Sequence, residues 1–303
     1  MKENQSIQTI SPGDISVSAF FNLMLGTIGP RPIALVSTVD LNGRPNLAPF
    51  SFFNGFGANP PVLVFSPSRR GRDNTTKHSY DNVKVVPEAV INVVTYSMVE
   101  QVSLASSDFP QGVSEFEKVG FTPVPSETVK PMRVKESPVQ FECKVLQVIE
   151  TGFEGSAGNL VICEITRVHI DRSVMLDNGG IDQTKIDLVG RMGGNYYVRA
   201  NGSALFEVEK PVSSVGIGVD ALPFHVRNSS ILTGNDLGRL GNLKSFPGLD
   251  EIAACRSSAD LAQAIGDIDD KELKIRILHN LAQSLIAKNK VQLALTVLMV
   301  EKD

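Results

Sequence analysis

The amino-acid sequence predicts a mainly β protein: a barrel of antiparallel strands, then a C-terminal extension that is first irregular and then α-helical. Three observations carry this reading. Apolar, β-branched runs of strand length dominate residues 30–210 with no regular strand–helix alternation, which argues for a barrel over a doubly wound sheet. Composition shifts after Pro211, where residues 212–250 become rich in Gly, Ser and Asn. From Ser258 onward the apolar residues recur at helical spacing. The chain accordingly divides into a barrel domain, residues 1–211, and an extension, residues 212–303.

The first strand is residues 33–39, which stops at Asp40-Leu41-Asn42-Gly43. Asn-Gly between two extended runs predicts a tight hairpin, because both turn positions tolerate positive φ. The return strand is residues 46–53. Pro49 within it cannot donate a ladder hydrogen bond, so the strand is expected at an edge, or bulged or broken there. A short strand at 62–65 leads into a basic loop, 66–72, and a helix over 73–83 with Asp73 or Asn74 as its cap. Another buried strand follows at 90–95. The Pro- and Gly-rich stretch 97–136 reads as an excursion that Phe116 and Phe121 pin to the core.

Two long strands, 139–149 and 160–170, are joined by residues 151–158. In the first, Phe141, Cys143 and Val145 alternate with Gln140, Glu142 and Lys144, the pattern of a half-buried strand. A last strand is expected at 204–208, ending at Lys210-Pro211. In the extension, Ser258 caps a helix that ends at Gly266. Asp269 or Asp270 opens a second, with Leu273, Ile277, Leu278, Leu281 and Leu285 on one face, and residues 291–300 form a third.

The formal net charge of −4 gives no global pull toward nucleic acid or an anionic membrane, so any anion site is built locally. Cys143, Cys163 and Cys255 lie far apart, which fits a reducing compartment better than a disulfide framework. With no signal-like start and no membrane-length apolar run, a cytoplasmic location is expected. His78, His169, His225 and His279 lack ligand spacing, so no metal site is expected. The GxG at 216–218 lacks a third glycine and reads as a turn. No nucleophile–base pair stands out.

The most informative stretch runs from Gly29 to His78. It opens with Arg31-Pro32-Ile33-Ala34, continues through Asn46-Leu47-Ala48-Pro49-Phe50-Ser51-Phe52-Phe53-Asn54, and reaches Asn59-Pro60-Pro61. Glu115-Phe116 before Gly120-Phe121, then Arg191-Met192-Gly193-Gly194 and residues 206–211, continue the order. Over roughly residues 15–211 the chain resembles the flavin reductase-like domain family, FMN-binding split β-barrels that include flavoredoxin-like proteins. The resemblance implies FMN held at a homodimer interface and flavin reduction by NADH or NADPH. With no nicotinamide fingerprint, that donor would stack transiently on the exposed flavin. No catalytic side chain is then expected, since the flavin carries the chemistry. The alternatives are an FMN-binding electron carrier or sensor without nicotinamide activity, and a barrel that has lost its flavin.

The residues agree with that implication. A strand distorted at Pro49 leaves backbone groups of Asn46, Leu47, Ala48, Pro49 and Ser51 for the polar edge of the flavin ring. Phe50, Phe52 and Phe53 supply an apolar wall, although core packing is the plainer reading of any one phenylalanine. Residues 66–78 hold Ser66, Ser68, Arg69, Arg70, Arg72, Thr75, Thr76, Lys77 and His78, offset only by Asp73. Guanidinium forks, hydroxyls and helix N-terminal amides suit a phosphate. Arg69, Arg72, Asn74, Thr75, Thr76 and Lys77 are its candidate ligands. The family's Lys-Asp-Thr-like triplet has Arg72-Asp73-Asn74-Thr75-Thr76 as its counterpart here. Ser103 and Arg191 are weaker candidates for cofactor contact. The extension is expected to pack on the barrel or its dimer mate, in position to close over the flavin. His225 and Arg227 are its candidates for contact with a small-molecule substrate, a structural role being the plainer reading of both.

Overall fold

The computed structural model describes residues 7–210, 215–266 and 268–301. The chain divides into two compact units, Met1–Phe206 and Glu207–Asp303. The division falls a few residues before the expected boundary, of which residues 211–214 lie outside the described residues.

The first unit begins with helix α1 (Val17–Thr27), capped by Ser16, whose hydroxyl accepts from the Ala19 amide at 3.2 Å. The following elements are β1 (Arg31–Pro32), β2 (Ala34–Val39), β3 (Pro45–Phe50), β4 (Phe53–Ala58), β5 (Pro61–Phe65), α2 (His78–Val85), β6 (Glu88–Val93), α3 (Val99–Leu104), α4 (Glu115–Val119), β7 (Pro123–Val124) and β8 (Arg133–Val134). The unit ends with β9 (Val139–Glu150), β10 (Asn159–Ile170), β11 (Leu188–Arg191) and β12 (Tyr197–Ala200).

Seven strands form one antiparallel sheet in the order β3-β2-β6-β9-β10-β5-β4. Its two edge strands, β3 and β4, are consecutive in the chain and separated only by Ser51 and Phe52. A two-residue link cannot span a flat seven-stranded sheet, whose strands stand about 4.8 Å apart, so the sheet curls until its edges meet. No ladder joins β3 to β4 among the described residues. The result is a split barrel.

Strand β2 is buried along its whole length because it feeds two cores. Ala34 and Val36 point into the barrel with Phe50, Phe65, Ile91, Cys143 and Val161. Ile33 and Leu35 pack on the other side with Leu47, Met98, Val102, Phe116, Phe121 and Val189. The expected pinning of the 97–136 excursion by Phe116 and Phe121 is therefore seen.

Several local expectations are corrected. In the turn after β2, the Gly43 amide donates to the Asp40 carbonyl at 3.0 Å and only Gly43 has positive φ, at 77°. Asn42 does not, because the Asp40 carboxylate already holds the turn by accepting from the Asn42 and Arg44 amides. β3 is an edge strand as expected, yet it runs in unbroken register with β2, Pro49 opposite Leu35. The missing N–H of Pro49 faces the open side, where it costs no ladder bond. The expected strand 46–53 ends at Phe50, and Phe53 already belongs to the opposite edge.

The helix expected over 73–83 starts only at His78, because Asn74 takes a left-handed φ of 56° in a loop closed by Arg70 and Thr75. Gln140 and Glu142 on β9 are buried, not solvated. The excursion lies over them: Glu142 accepts from the Glu127 and Thr128 amides, the Thr128 hydroxyl and His169. No strand forms at 204–208, where Phe206 is 83% exposed. A second sheet, β1-β11-β12, forms instead from short segments that carry no strand-length apolar run.

The second unit is helical: α5 (Phe224–Arg227), α6 (Gly234–Gly241), α7 (Leu249–Arg256), α8 (Ala259–Ile265), α9 (Lys271–Ala287) and α10 (Val291–Leu298). Ser258 and Asp270 cap α8 and α9 as expected. The stretch read as irregular holds α5, α6 and α7. Thr233 and Asp236 form a reciprocal capping box that starts α6 despite its three glycines. Leu222, Val226, Leu240, Leu278, Ile286, Leu295 and Leu298 supply two adjoining apolar clusters. No helix among the described residues is long and apolar enough to cross a membrane.

Candidate functional site

The gap where β3 passes into β4 is the natural place for a ligand, because backbone there is not consumed by the sheet. β3 bonds to β2 on one side only, so alternate residues present their N–H and C=O to the open edge. Part of that edge is already closed. The Leu47 amide donates to the Glu115 carboxylate at 3.0 Å, and the Asn46 side chain donates to the Ser79 hydroxyl at 2.8 Å. Burial pushes the Glu115 carboxyl above its ordinary pKa. Of the backbone predicted to face a ligand, the Leu47 amide is thus committed to Glu115, and Asn46 and Ala48, which alternate with Leu47, turn their backbone groups to β2. Pro49 and Ser51 remain half-buried at the opening.

Phe50 and Phe65 pack inside the barrel with ring centroids 5.4 Å apart, and Phe53 packs against the same cluster. Only Phe52 turns outward. It meets Phe21 of α1 edge-on at 6.0 Å, with the Arg31 guanidinium 5.9 Å from its ring centre. Arg31 is itself buried, donating to the carbonyls of Leu25, Ile28 and Met192 and, at 3.4 Å, to the Ser51 hydroxyl. It ties α1, β11 and the β3–β4 link together.

The basic loop beyond β5 is braced from below. The Asn159 side chain donates to the Pro67 carbonyl, and the Arg69 amide donates to Ala157. Gly71 and Gly155 let two backbones nearly touch; a Cβ on Gly71 would stand 2.7 Å from the Ser156 hydroxyl. Arg69 is consumed internally, donating to the side chain and carbonyl of Asn74, both at 2.6 Å. Thr75 bonds to Asp73, which with Arg72 holds the Asp73 carboxyl at about 2. The Thr76 hydroxyl donates to Asp81.

The remaining cations converge. Arg70 at 3.1 Å, Arg72 at 2.8 Å and Lys77 at 3.3 Å all reach the Asp108 carboxylate. Burial alone would raise Asp108, but Lys77 and Arg70 outweigh it and lower its pKa. Counting Asp73, which Arg72 also meets at 3.1 Å, the charge sum is three positive against two negative, beside the start of α2 at His78. Of the predicted phosphate ligands, the structure brings together Arg72 and Lys77, with Thr75 bonded to Arg70. It spends Arg69 and Asn74 on the loop's own shape. Sequence reasoning missed Asp108, which sits 31 residues beyond Lys77 in the irregular excursion with no local signal.

Ser103 and Arg191 lie elsewhere in this unit, on a cleft of about 360 Å³ also lined by Tyr96, Glu100, Tyr197 and Arg199. None of the residues 46–53 or 69–77 lines it. In the second unit, His225 stacks on His279, ring centres 5.4 Å apart and nitrogens 3.1 Å apart. That contact gives His225 a packing role, while Arg227 at the end of α5 is exposed. Among the described residues, no cluster of His, Cys, Asp or Glu is arranged to hold a metal.

A split barrel with a cation-rich loop beside its open edge defines the class. The model of the flavin reductase-like domain matches residues 27–185, and the chain belongs to that family. It is 38% identical over 188 residues to an uncharacterized protein of Aquifex aeolicus, covering 62% of this chain and 93% of that one. An uncharacterized Halalkalibacterium halodurans protein is 35% identical over 207 residues, covering 68% and 97%. Among solved structures, nitrilotriacetate monooxygenase component B of Bacillus cereus superposes with a TM-score of 0.63 at 28% identity, covering 67% of this chain and 99% of that one. The 2-nitrobenzoate 2-nitroreductase of Pseudomonas fluorescens gives 0.60 at 28% identity, covering 69% and 100%.

Proposed function

We propose that the first unit binds FMN and works as a flavin-dependent oxidoreductase, reduced by NADH or NADPH. The observation that carries this is the convergence of Arg70, Arg72 and Lys77 on a single carboxylate beside the barrel's open edge. Such a donor set fits a phosphomonoester, since two guanidinium forks and an ammonium already surround the two oxygens of Asp108. The half-buried backbone of Pro49 and Ser51, on the open side of β3, and the ring of Phe52 suit the edge and face of a flat heterocycle. Bound flavin would supply the electron transfer. The protein's share is to hold the phosphate on the loop, orient the ring along β3, and keep Arg31 fixed beside it. Membership of the flavin reductase-like family supports the reading, as do the names of the similar monooxygenase component and nitroreductase.

Homodimerisation through α1 is part of the proposal. Its eleven residues carry no charge and none is buried within this chain; Val17, Leu23 and the following Ile28 are all exposed. A second copy covering this face would border the Phe21–Phe52 contact.

Purified protein titrated with FMN should bind it more tightly than riboflavin, which lacks the phosphate. Anaerobic NADH or NADPH should then bleach the bound flavin. Bound flavin that neither nicotinamide reduces would mark an electron carrier or sensor instead. Protein that leaves FMN fluorescence unchanged would refute the flavin reading altogether.

A further inference from the structure

The cleft between α3 and the three-stranded sheet is separate from the phosphate loop and from the β3 edge. Its sheet wall follows from register. Arg31, Arg191 and Tyr197 are directly opposite one another on β1, β11 and β12, and Val189 and Arg199 form the next row on the same face. Tyr96, Val99, Glu100 and Ser103 make the facing wall. Two cation–aromatic stacks line the cleft. The Arg191 guanidinium lies 4.6 Å from the centre of the Tyr197 ring, and that of Arg199 lies 3.9 Å from the centre of the Tyr96 ring.

The two arginines differ in charge balance. Arg199 is paired in a fork with Asp187, at 2.7 and 2.8 Å. Arg191 has no carboxylate within 4 Å among the described residues, and its guanidinium makes one hydrogen bond, to the Tyr196 carbonyl at 3.0 Å. It also stands opposite a second cation, Arg31, and like charges in that position repel. After burial, this neighbour is what lowers the Arg31 pKa. An anion beside Arg191 would relieve that repulsion.

From the unneutralised Arg191, its stack on Tyr197 and the cleft's size, we infer that this cleft is a binding site for a planar aromatic carboxylate. The carboxylate seats on the free face of the Arg191 fork. The ring lies between the Tyr197 and Tyr96 stacks. Glu100 on the α3 wall repels an anion, which fixes the orientation with the carboxylate toward the sheet. About 360 Å³ lies within the range of small-molecule pockets, roughly 300–1,000 Å³. Through Arg31, whose side chain reaches Ser51 and Phe52, the row of residues links this cleft to the barrel opening. A ligand here would therefore sit beside the flavin seat proposed above without sharing its residues.

The probe is benzoate, titrated into the full chain by calorimetry, with benzamide and cyclohexanecarboxylate as controls. Tyrosine emission gives a second signal, because the chain has no Trp and only four Tyr, two of which line the cleft. Saturable benzoate binding is expected, weaker for both controls. Arg191→Gln is expected to weaken benzoate by about tenfold or more while leaving benzamide nearly unchanged. Circular dichroism confirms that the variant is folded, and Tyr96→Leu gives an independent second variant expected to weaken both aromatic probes. No saturable benzoate binding, equal affinity for benzamide, or indifference to Arg191→Gln overturns the inference. Repeating the titration with FMN-saturated protein separates the two readings. Benzoate binding that persists supports a distinct site, and benzoate displaced by FMN overturns it while leaving flavin binding intact. Benzoate bound by protein that takes up no FMN supports the cleft and refutes the flavin seat.

Discussion

Replacing Asp108 with Asn removes the one carboxylate on which Arg70, Arg72 and Lys77 converge, while keeping the shape of the side chain. If those cations hold a phosphate, Asp108 is an internal competitor that an incoming FMN must displace, and Asp108→Asn should tighten FMN binding. The size follows from the geometry. The Asp108 side chain is about one-third exposed, Arg70 less so and Lys77 similarly, so each pair is an ordinary solvated contact worth about 0.2–1 kcal/mol. Arg72 is too solvated to be counted. The two pairs together come to about 1 kcal/mol, or roughly a fivefold lower Kd. Fluorescence titration with FMN at low salt, and again near ~1 M, where the Debye length falls to about 3 Å, measures it. The gain should shrink at high salt and be absent with riboflavin, which presents no phosphate. Weaker FMN binding by Asp108→Asn would mean that the carboxylate organises the guanidinium groups and does not compete. An equal gain with riboflavin would mean that the loop does not hold the phosphate.

Three further outcomes are expected. Burial would raise Glu142, yet bonds from Thr128, the Glu127 amide and His169 hold it at about 2, against an ordinary value of 4.5. Its ionised form thus stabilises the barrel fully above pH 4.5, and that stability is lost as pH falls toward 2. Glu142→Gln should cost about 1.5–3 kcal/mol in urea unfolding at neutral pH and flatten the acid slope over that window. His279 is buried, and burial followed by the His225 charge lowers it from 6.5 to about 4. The unfolded chain takes up this proton first, so helical stability is complete above pH 6.5 and declines toward pH 4. His279→Gln should flatten that decline in the helical circular dichroism signal, and an unchanged slope would refute the assignment. A chain ending at Phe206 should melt cooperatively, because the three apolar clusters of the first unit lie wholly within it. An unfolded truncation would show that the barrel depends on the helical unit.

The elements legible in the sequence were those whose signal is local. The β2 run is largely apolar and β-branched because both its faces are buried, and Ser258 and Asp270 announce their helices by capping them. What escaped depended on distant partners. Gln140 and Glu142 alternate with apolar residues as a solvated face would, and only the returning excursion, which supplies Thr128 and Arg133, makes that face an interior. β11 and β12 are four residues each, β11 interrupted by Gly190, and exist as strands because β1 and each other offer them a ladder. α6 holds three glycines in eight residues, a composition that reads as loop until the Thr233–Asp236 box and the burial of Leu240 are seen.

The candidate site divides along the same line. The basic loop was visible as composition, but composition assigns every cation the same role. In the fold the roles separate. Arg69 reaches Asn74 five residues on, and that bond, with the left-handed Asn74, bends the loop so that Arg70, Arg72 and Lys77 point to one place. Asp108 then reports where that place is, because a carboxylate collects three cations only where they already converge. Pro49 was read correctly as an edge residue from its missing N–H, but the distortion expected with it is absent. The residue marks the side of β3 that no strand covers. The opening arises one step later, where two residues carry the chain from one edge of a seven-stranded sheet to the other. No residue in that link encodes closure by itself. It follows from the order of strands that lie up to 120 residues away, and for that reason the slot was legible only in part.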